Sequence, residues 1–411
     1  DNLLIMKILF HLNTYNDVDH ITPIIWRFLE RGDLVTTIFL SNFDYDNDYR
    51  IQFLSRFENF SIYNRDVLFG ESKLKLLHLR RKLFFNSRFS RFYESKIGGL
   101  FVYVIHKYLW PNRIVKECAF TIYEMGGPGR LNHADAQFYG VPVICLPHGQ
   151  NIFLNYDVTK SIHNYRKQKG KWPDFSNRSK FDLYVLQTER HRRWSIEWGQ
   201  DPVKTVAWGS ARFYPEWARI NLSLCDSFSS INQSKDKLRI VFFLPHWEYN
   251  VNVEHTLSLI FSLAKLSNVY LVIKGHTRGS GSLDDKWETK LNKYSNVEAN
   301  VAAHSPTLIA WSDLVINFGS SIAIEAIIQN KPLIHTLYLH TNQTVFDDGL
   351  VSYVANNKKE VLSYISMLQD GDLHTPPDTE KLKFFQSEIF AGNSPHDVLE
   401  LYYKKLCEIS N

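Results

Sequence analysis

The residues best suited to chemistry lie in short polar loops, each directly after an apolar run. The sharpest is Asp313-Leu-Val-Ile-Asn-Phe-Gly-Ser-Ser-Ile-Ala-Ile-Glu-Ala, which reads as a buried strand, a Gly-Ser-Ser turn and a helix over 321–329. Backbone N–H groups and the hydroxyls of Ser320 and Ser321 at the positive end of a helix suit an anion such as phosphate. Glu325 follows one turn after Ser321 on the same face, where a carboxylate can accept both hydroxyls of a ribose. The plainer reading is a capped helix with an ordinary first-turn acid. A second loop, Val272-Ile-Lys-Gly-His-Thr-Arg-Gly, sets Lys274, His276 and Arg278 two residues apart among glycines. Three cations on one strand end would neutralise a diphosphate, and the alternative is a solvated basic loop.

Four further loops carry candidates. Phe243-Leu-Pro-His-Trp-Glu offers His246 as a donor ribose- or base-binding group or a packing residue, and Cys145-Leu-Pro-His-Gly offers His148 as an acid, base or oxyanion-binding group or a structural histidine fixing the turn. Glu124 stands at the lip of a glycine-rich loop as a base or nucleophile, and Arg212 in Gly209-Ser-Ala-Arg-Phe as a bidentate phosphate clamp or an interdomain ion pair. His340 and Asn342, after another strand, would reach a base or sugar, or simply build a polar loop. Metal chemistry is disfavoured, because no His-Glu-x-x-His occurs and Asp347-Asp348 is a poor site by itself. No cofactor is expected: the Gly-x-Gly-x-x-Gly pattern is missing after the first strand, and no Gly-Lys-Ser/Thr phosphate loop appears.

These loops need a scaffold that places strand ends side by side. Apolar runs at 6–12, 34–40, 120–123, 141–146 and 182–186 alternate with helical or polar stretches, and the pattern resumes at 239–244, 269–273, 314–317 and 332–336. Buried strands separated by crossovers imply parallel sheets with helices on both faces. The expected fold is α/β, with two Rossmann-like domains facing a cleft. Residues 1–222 form an acceptor-binding domain, the Ser/Asn/Asp/Lys-rich 223–236 a linker, 237–380 a donor-binding domain, and 381–411 a helical segment that either stays there or crosses back to the first domain.

A chain of 411 residues, 44% hydrophobic and 22% charged, has ordinary globular composition, and a net charge of +4 demands no nucleic-acid partner. Four scattered cysteines fit a reducing compartment, and no apolar run is long enough to span a bilayer, so a cytoplasmic protein is expected. The basic, amphipathic segment 73–96 would either touch the inner face of an anionic membrane or form a solvated helix.

Taken together, Leu146-Pro-His-Gly-Gln, Gly209-Ser-Ala-Arg-Phe, Pro245-His-Trp-Glu-Tyr-Asn, Ile273-Lys-Gly-His-Thr-Arg-Gly, Ile316-Asn-Phe-Gly-Ser-Ser-Ile-Ala-Ile-Glu-Ala and Tyr338-Leu-His-Thr-Asn resemble the bacterial surface carbohydrate (polysaccharide) biosynthesis proteins. The likeness runs from about Tyr123 to Asp348. More distantly, the Lys-x-His and Ser-Ser…Glu blocks are similar to those of the GT-B superfamily, which includes capsule-type sugar transferases, CDP-glycerol transferases and non-hydrolysing UDP-GlcNAc 2-epimerases. The resemblance implies nucleotide-sugar chemistry, with phosphate on His276, Ser320 and Ser321 and ribose on Glu325. Where the Kdo and sialic acid transferases have proline after the histidine, Thr277 stands here. The expectation is a glycosyltransferase acting on a surface polysaccharide or lipid-linked glycan. An epimerase, a CDP-glycerol-type transferase and a catalytically silent scaffold are the alternatives.

Overall fold

The computed structural model describes residues 5–39, 44–64, 113–124, 136, 139–229, 236–276 and 283–409. The segment 73–96 and Arg278 therefore lie outside the described residues, as does the side chain of Glu124. Two compact units are present. The first comprises residues 1–149, 175–212 and 397–411, and the second residues 150–174 and 213–396.

The first unit is built on a parallel sheet of seven strands among the described residues: β1 (Lys7–Leu12), β2 (Leu34–Phe39), β3 (Phe60–Asn64), β4 (Phe120–Glu124), β5 (Val143–Leu146), β6 (Leu183–Leu186) and β7 (Thr205–Ala207). Their order is β3-β2-β1-β4-β5-β6-β7. β1 and β5 read as near-continuous apolar runs because both faces of a parallel sheet are covered. The helix Tyr15–Glu30 buries Ile21, Ile25 and Phe28, and the ring of Phe28 meets Phe120 at 5.9 Å and Tyr403 at 5.0 Å. Tyr403 belongs to the last helix, Val398–Ile409, which packs in this unit and whose Tyr402 hydroxyl donates to the Gly209 carbonyl at 2.8 Å.

The second unit carries a parallel sheet of six described strands: β8 (Leu238–Phe243), β9 (Val269–Lys274), β10 (Val297–Glu298), β11 (Leu314–Asn317), β12 (Leu333–Thr336) and β13 (Tyr353–Ala355), in the order β10-β9-β8-β11-β12-β13. Ile240, Phe242, Leu271, Ile273, Ile316 and Ile334 form the core on one face with Leu259, Ile260 and Leu263 of the helix Val253–Ala264. Residues 150–158 lie along 342–345: Leu154 N–H donates to the Gln343 carbonyl at 2.8 Å, and Val345 N–H to that of Ile152 at 3.0 Å. Among the described residues no helix is long and apolar enough to cross a membrane.

Candidate functional site

In a doubly wound sheet the loops that follow two neighbouring strands diverge where the strand order reverses, and a crevice opens outside their carboxyl ends. In the second unit that point lies between β8, whose successors run toward β10, and β11, whose successors run toward β13. β8 leads into Pro245 and His246, and β11 into Gly319, Ser320 and Ser321. Gly319 has φ +64, a left-handed conformation that favours glycine. A Cβ there would lie 3.9 Å from Cβ of Pro245 and 3.8 Å from the Phe153 ring, so the turn passes close beside the residue that precedes His246. His276, just past β9, meets the His246 ring edge-on at 5.6 Å. Four of the expected phosphate- and donor-binding residues, His246, His276, Ser320 and Ser321, thus gather at one strand-end crevice.

His246 Nδ1 accepts from the Glu248 N–H at 3.1 Å. In the neutral ring this leaves Nε2 as an N–H donor, the right polarity for an anionic oxygen. The helix after the Ser-Ser turn is shorter than expected, Ala323–Ile328 rather than 321–329. The N–H groups of Ala323, Ile324 and Glu325 bond the carbonyls three residues back, and the Ser320 hydroxyl accepts from Ile322 N–H at 3.4 Å. Six residues give a weak dipole, so any anion here must rely on hydroxyls and neighbouring histidines. Glu325 is buried on the inner face of that helix, and its Oε1 accepts from Gln329 at 3.3 Å.

Other expected residues sit differently. Lys274 ends β9, but its ammonium donates to the Val301 carbonyl at 2.8 Å, and burial lowers its pKa. The expected cationic loop is weaker for that reason. Asn342 is committed to the protein. Its Oδ1 accepts from Asn155 at 3.1 Å and Asn250 at 2.9 Å, while its Nδ2 donates to Val158 O at 3.1 Å and Tyr249 O at 3.0 Å. An amide has two lone pairs and two donors, so none is left for a base or sugar, and Asn342 is a clasp for residues 155–158. His340 lies parallel to the Phe318 ring at 6.1 Å and edge-on to His335 at 5.5 Å. Burial, with His335 close by, pushes its pKa down to about 4.

A polar cluster that no sequence pattern announced surrounds His340. His335 Nε2 stands 2.9 Å from Asp347 Oδ1 and 3.2 Å from Thr344 Oγ1. Asn317 is the register partner of His335 on β11, and its Nδ2 holds the Ser320 carbonyl at 3.0 Å. Its Oδ1 and the Nδ1 of His335 are buried without a hydrogen-bond partner among the described residues. Buried polar atoms are ordinarily paired with protein or with ordered water.

In the first unit the order reverses between β1 and β4. After β1, Asp17 caps the helix Tyr15–Glu30, accepting from the N–H groups of Asn13 and Thr14, both at 2.7 Å. His148, after β5, holds Nδ1 at 4.0 Å from the other oxygen of Asp17, close enough for charge attraction but too far for a hydrogen bond. Glu124 is the last residue of β4 and the register partner of Leu146. Arg212, expected as a phosphate clamp, pairs through Nε with Asp19. Asp19 also meets Arg50 Nη1 at 2.9 Å, and Arg50 Nη2 meets Asp48 at 2.6 Å. Burial alone would raise the pKa of Asp19, but Arg212 and Arg50 hold it down to about 2. Burial pushes His20 down to about 3. Nothing in their spacing connects Asp19, Asp48, Arg50 and Arg212. Among the described residues no group of three or more His, Cys, Asp or Glu is arranged to hold a metal ion.

No protein family and no curated protein matches the sequence. Solved structures do resemble the fold. The UDP-GlcNAc 2-epimerase from Neisseria meningitidis, bound to UDP-GlcNAc, is 12% identical with a TM-score of 0.57, covering 98% of this chain and 100% of that one. The Anabaena protein HepE, in complex with UDP and glucose, is 10% identical at 0.54, covering 98% and 100%. A glycosyltransferase from Rickettsia africae is 14% identical at 0.53, covering 98% of each chain. At such identity the likeness concerns the fold, which is the GT-B type expected from the sequence.

Proposed function

We propose that this chain is a nucleotide-sugar-dependent glycosyltransferase that builds a surface polysaccharide or lipid-linked glycan. The observation that carries the reading is the convergence of His246, His276 and the Ser320–Ser321 turn where the second sheet reverses its order. The fold shared with proteins holding UDP-GlcNAc, or UDP and glucose, supports a nucleoside diphosphate there. In this reading the Nε2–H of His246, the ring of His276 and the two serine hydroxyls meet the diphosphate, and Glu325 meets the ribose. His340 faces the base or sugar. Catalysis rests on positioning the donor and on stabilising charge on the departing phosphate with fixed donors. The reading calls on no metal. In the first unit His148 takes the acceptor's proton, Asp17 steadies the resulting imidazolium, and Glu124 is a second candidate base.

Calorimetry against UDP, CMP and CDP tests the pocket and narrows the donor. One nucleotide should bind, and His276→Ala and Ser321→Ala should weaken it; unchanged affinity in both variants refutes this placement. A second reading, a UDP-sugar 2-epimerase, is favoured by the end-to-end coverage of the Neisseria epimerase. An epimerase turns over donor alone, whereas the transferase needs an acceptor. A silent scaffold would bind no nucleotide.

A further inference from the structure

Lys274 and His276 leave the same strand end in opposite directions. In the order β10-β9-β8-β11, the Lys274 ammonium leans from β9 to the β10 side, where it donates to the Val301 carbonyl at 2.8 Å. The His276 ring leans the other way and meets the ring of His246, beyond β8, at 5.6 Å. The crevice between β8 and β11, where Ser320 and Ser321 follow the second of these strands, is therefore approached by an imidazole and not by the ammonium.

The two histidines are not equivalent. The Nδ1 of His246 accepts from the Glu248 N–H at 3.1 Å, which commits that nitrogen as an acceptor and leaves Nε2 to meet an anion as a donor. A second proton on His246 would have to displace that bond. Around the pair, the His246 ring meets Tyr249 at 5.8 Å, and the exposed Glu248 stands beside it with its carbonyl bonded to the Lys160 N–H. Arg278 follows His276 by two residues in the sequence. A diphosphate seated here calls for positive charge, and an imidazole can gain it: an ordinary histidine titrates at about 6.5, and an anion in contact favours the charged ring.

We infer that His276 takes up a proton as the nucleotide binds, so that the site completes its counter-charge only when the diphosphate is present. The inference rests on the nucleotide reading above and adds to it a dependence on pH. The proton comes from solvent on binding and returns there on release. Because a bound anion stabilises the imidazolium, affinity should be highest in mild acid and fall as the pH rises toward 8. A clamp of permanently charged guanidinium groups would hold the nucleotide equally well across that range.

The test is calorimetry of the full chain with UDP-glucose, whose diphosphate diester gains no proton between pH 6 and pH 8, so any exchange belongs to the protein. Titrations at pH 7 in PIPES and in Tris, which differ in ionisation enthalpy, count the protons. More than about half a proton should be taken up per nucleotide, and affinity should rise on the order of tenfold from pH 8 to pH 6. His276→Gln keeps a hydrogen-bonding amide without a titrating nitrogen. It should abolish the uptake and flatten the profile, so that more affinity is lost at pH 6 than at pH 8. His246→Gln should weaken binding to a similar extent across the range and leave the uptake in place. Binding of UDP-glucose without proton uptake, or uptake that His276→Gln leaves intact, would overturn this inference alone; no binding at any of these pH values would overturn the nucleotide reading with it.

Discussion

Each unit gathers a buried polar cluster beyond the ends of its strands, and the two clusters are built differently. In the first unit Asp19, Asp48, Arg50 and Arg212 close into a network in which each charge faces an opposite one. In the second unit Asn317 and His335 hold buried polar atoms with no partner among the described residues. A satisfied network holds a shape, whereas unpaired groups cost stability until a ligand meets them. The first cluster is architectural, and the second carries the binding role proposed above; buried polar atoms with no partner among the described residues also occur in the first unit, on His191, Gln200 and Ser210.

Acid should separate the units most strongly. Burial pushes His11, His20 and His191 of the first unit down to about 3, and His340 of the second to about 4. Each folded value lies below the unfolded one near 6.5, so the unfolded chain binds more protons and stability falls with pH below that value. Three such histidines weigh on the first unit against one in the second, so acid should cost the first unit more. Asp19 adds a further loss as pH falls from about 4 toward about 2, since its carboxylate is the favoured form in the folded state. Hydrogen exchange at pH 6, 5 and 4 should show the first unit opening earlier. The reverse order would break the comparison.

Arg50→Ala should follow in size. Its guanidinium is wholly buried between Asp48 and Asp19, and removing it strands Asp48 and leaves Asp19 with Arg212 alone, at a cost of about 3–5 kcal/mol. Denaturant unfolding, with exchange localising the loss to the first unit, measures it. Asn342→Ala removes four hydrogen bonds and should cost the second unit about 2–4 kcal/mol, with exchange rising at residues 155–158. His276→Ala and Ser321→Ala should weaken nucleotide binding about tenfold each while leaving the unfolding midpoint unmoved, as expected of groups that serve a ligand. Gly319→Ala should be the mildest, about 1 kcal/mol. Its Cβ would find ordinary contacts at 3.8 and 3.9 Å, so the cost is the left-handed backbone alone.

Much of the scaffold was legible in the sequence because buried parallel strands leave nearly unbroken apolar runs, as in Val143–Leu146 and Val269–Lys274. The loops that gather His246, His276, Ser320 and Ser321 were legible for the same reason, each following such a run. Direction was not. Whether Lys274 turns toward a ligand or toward the Val301 carbonyl depends on a partner 27 residues away, and the roles of Asn342 and Arg212 depend on partners 92 to 193 residues away. Nor does composition change at Gln150 or Phe175 to reveal which unit residues 150–174 join.

The chain leaves one unit for the other after Gly149, Asp174, Arg212 and His396, so neither unit is a continuous stretch of polypeptide. A single protease cut in any one connection therefore releases nothing, and a gene truncated to 213–396 yields a lobe missing Phe153 beside Gly319 and Asn155 beside Asn342. Such a lobe is a natural host for complementation: a synthetic peptide spanning 150–174, added in trans, should restore its cooperative melting.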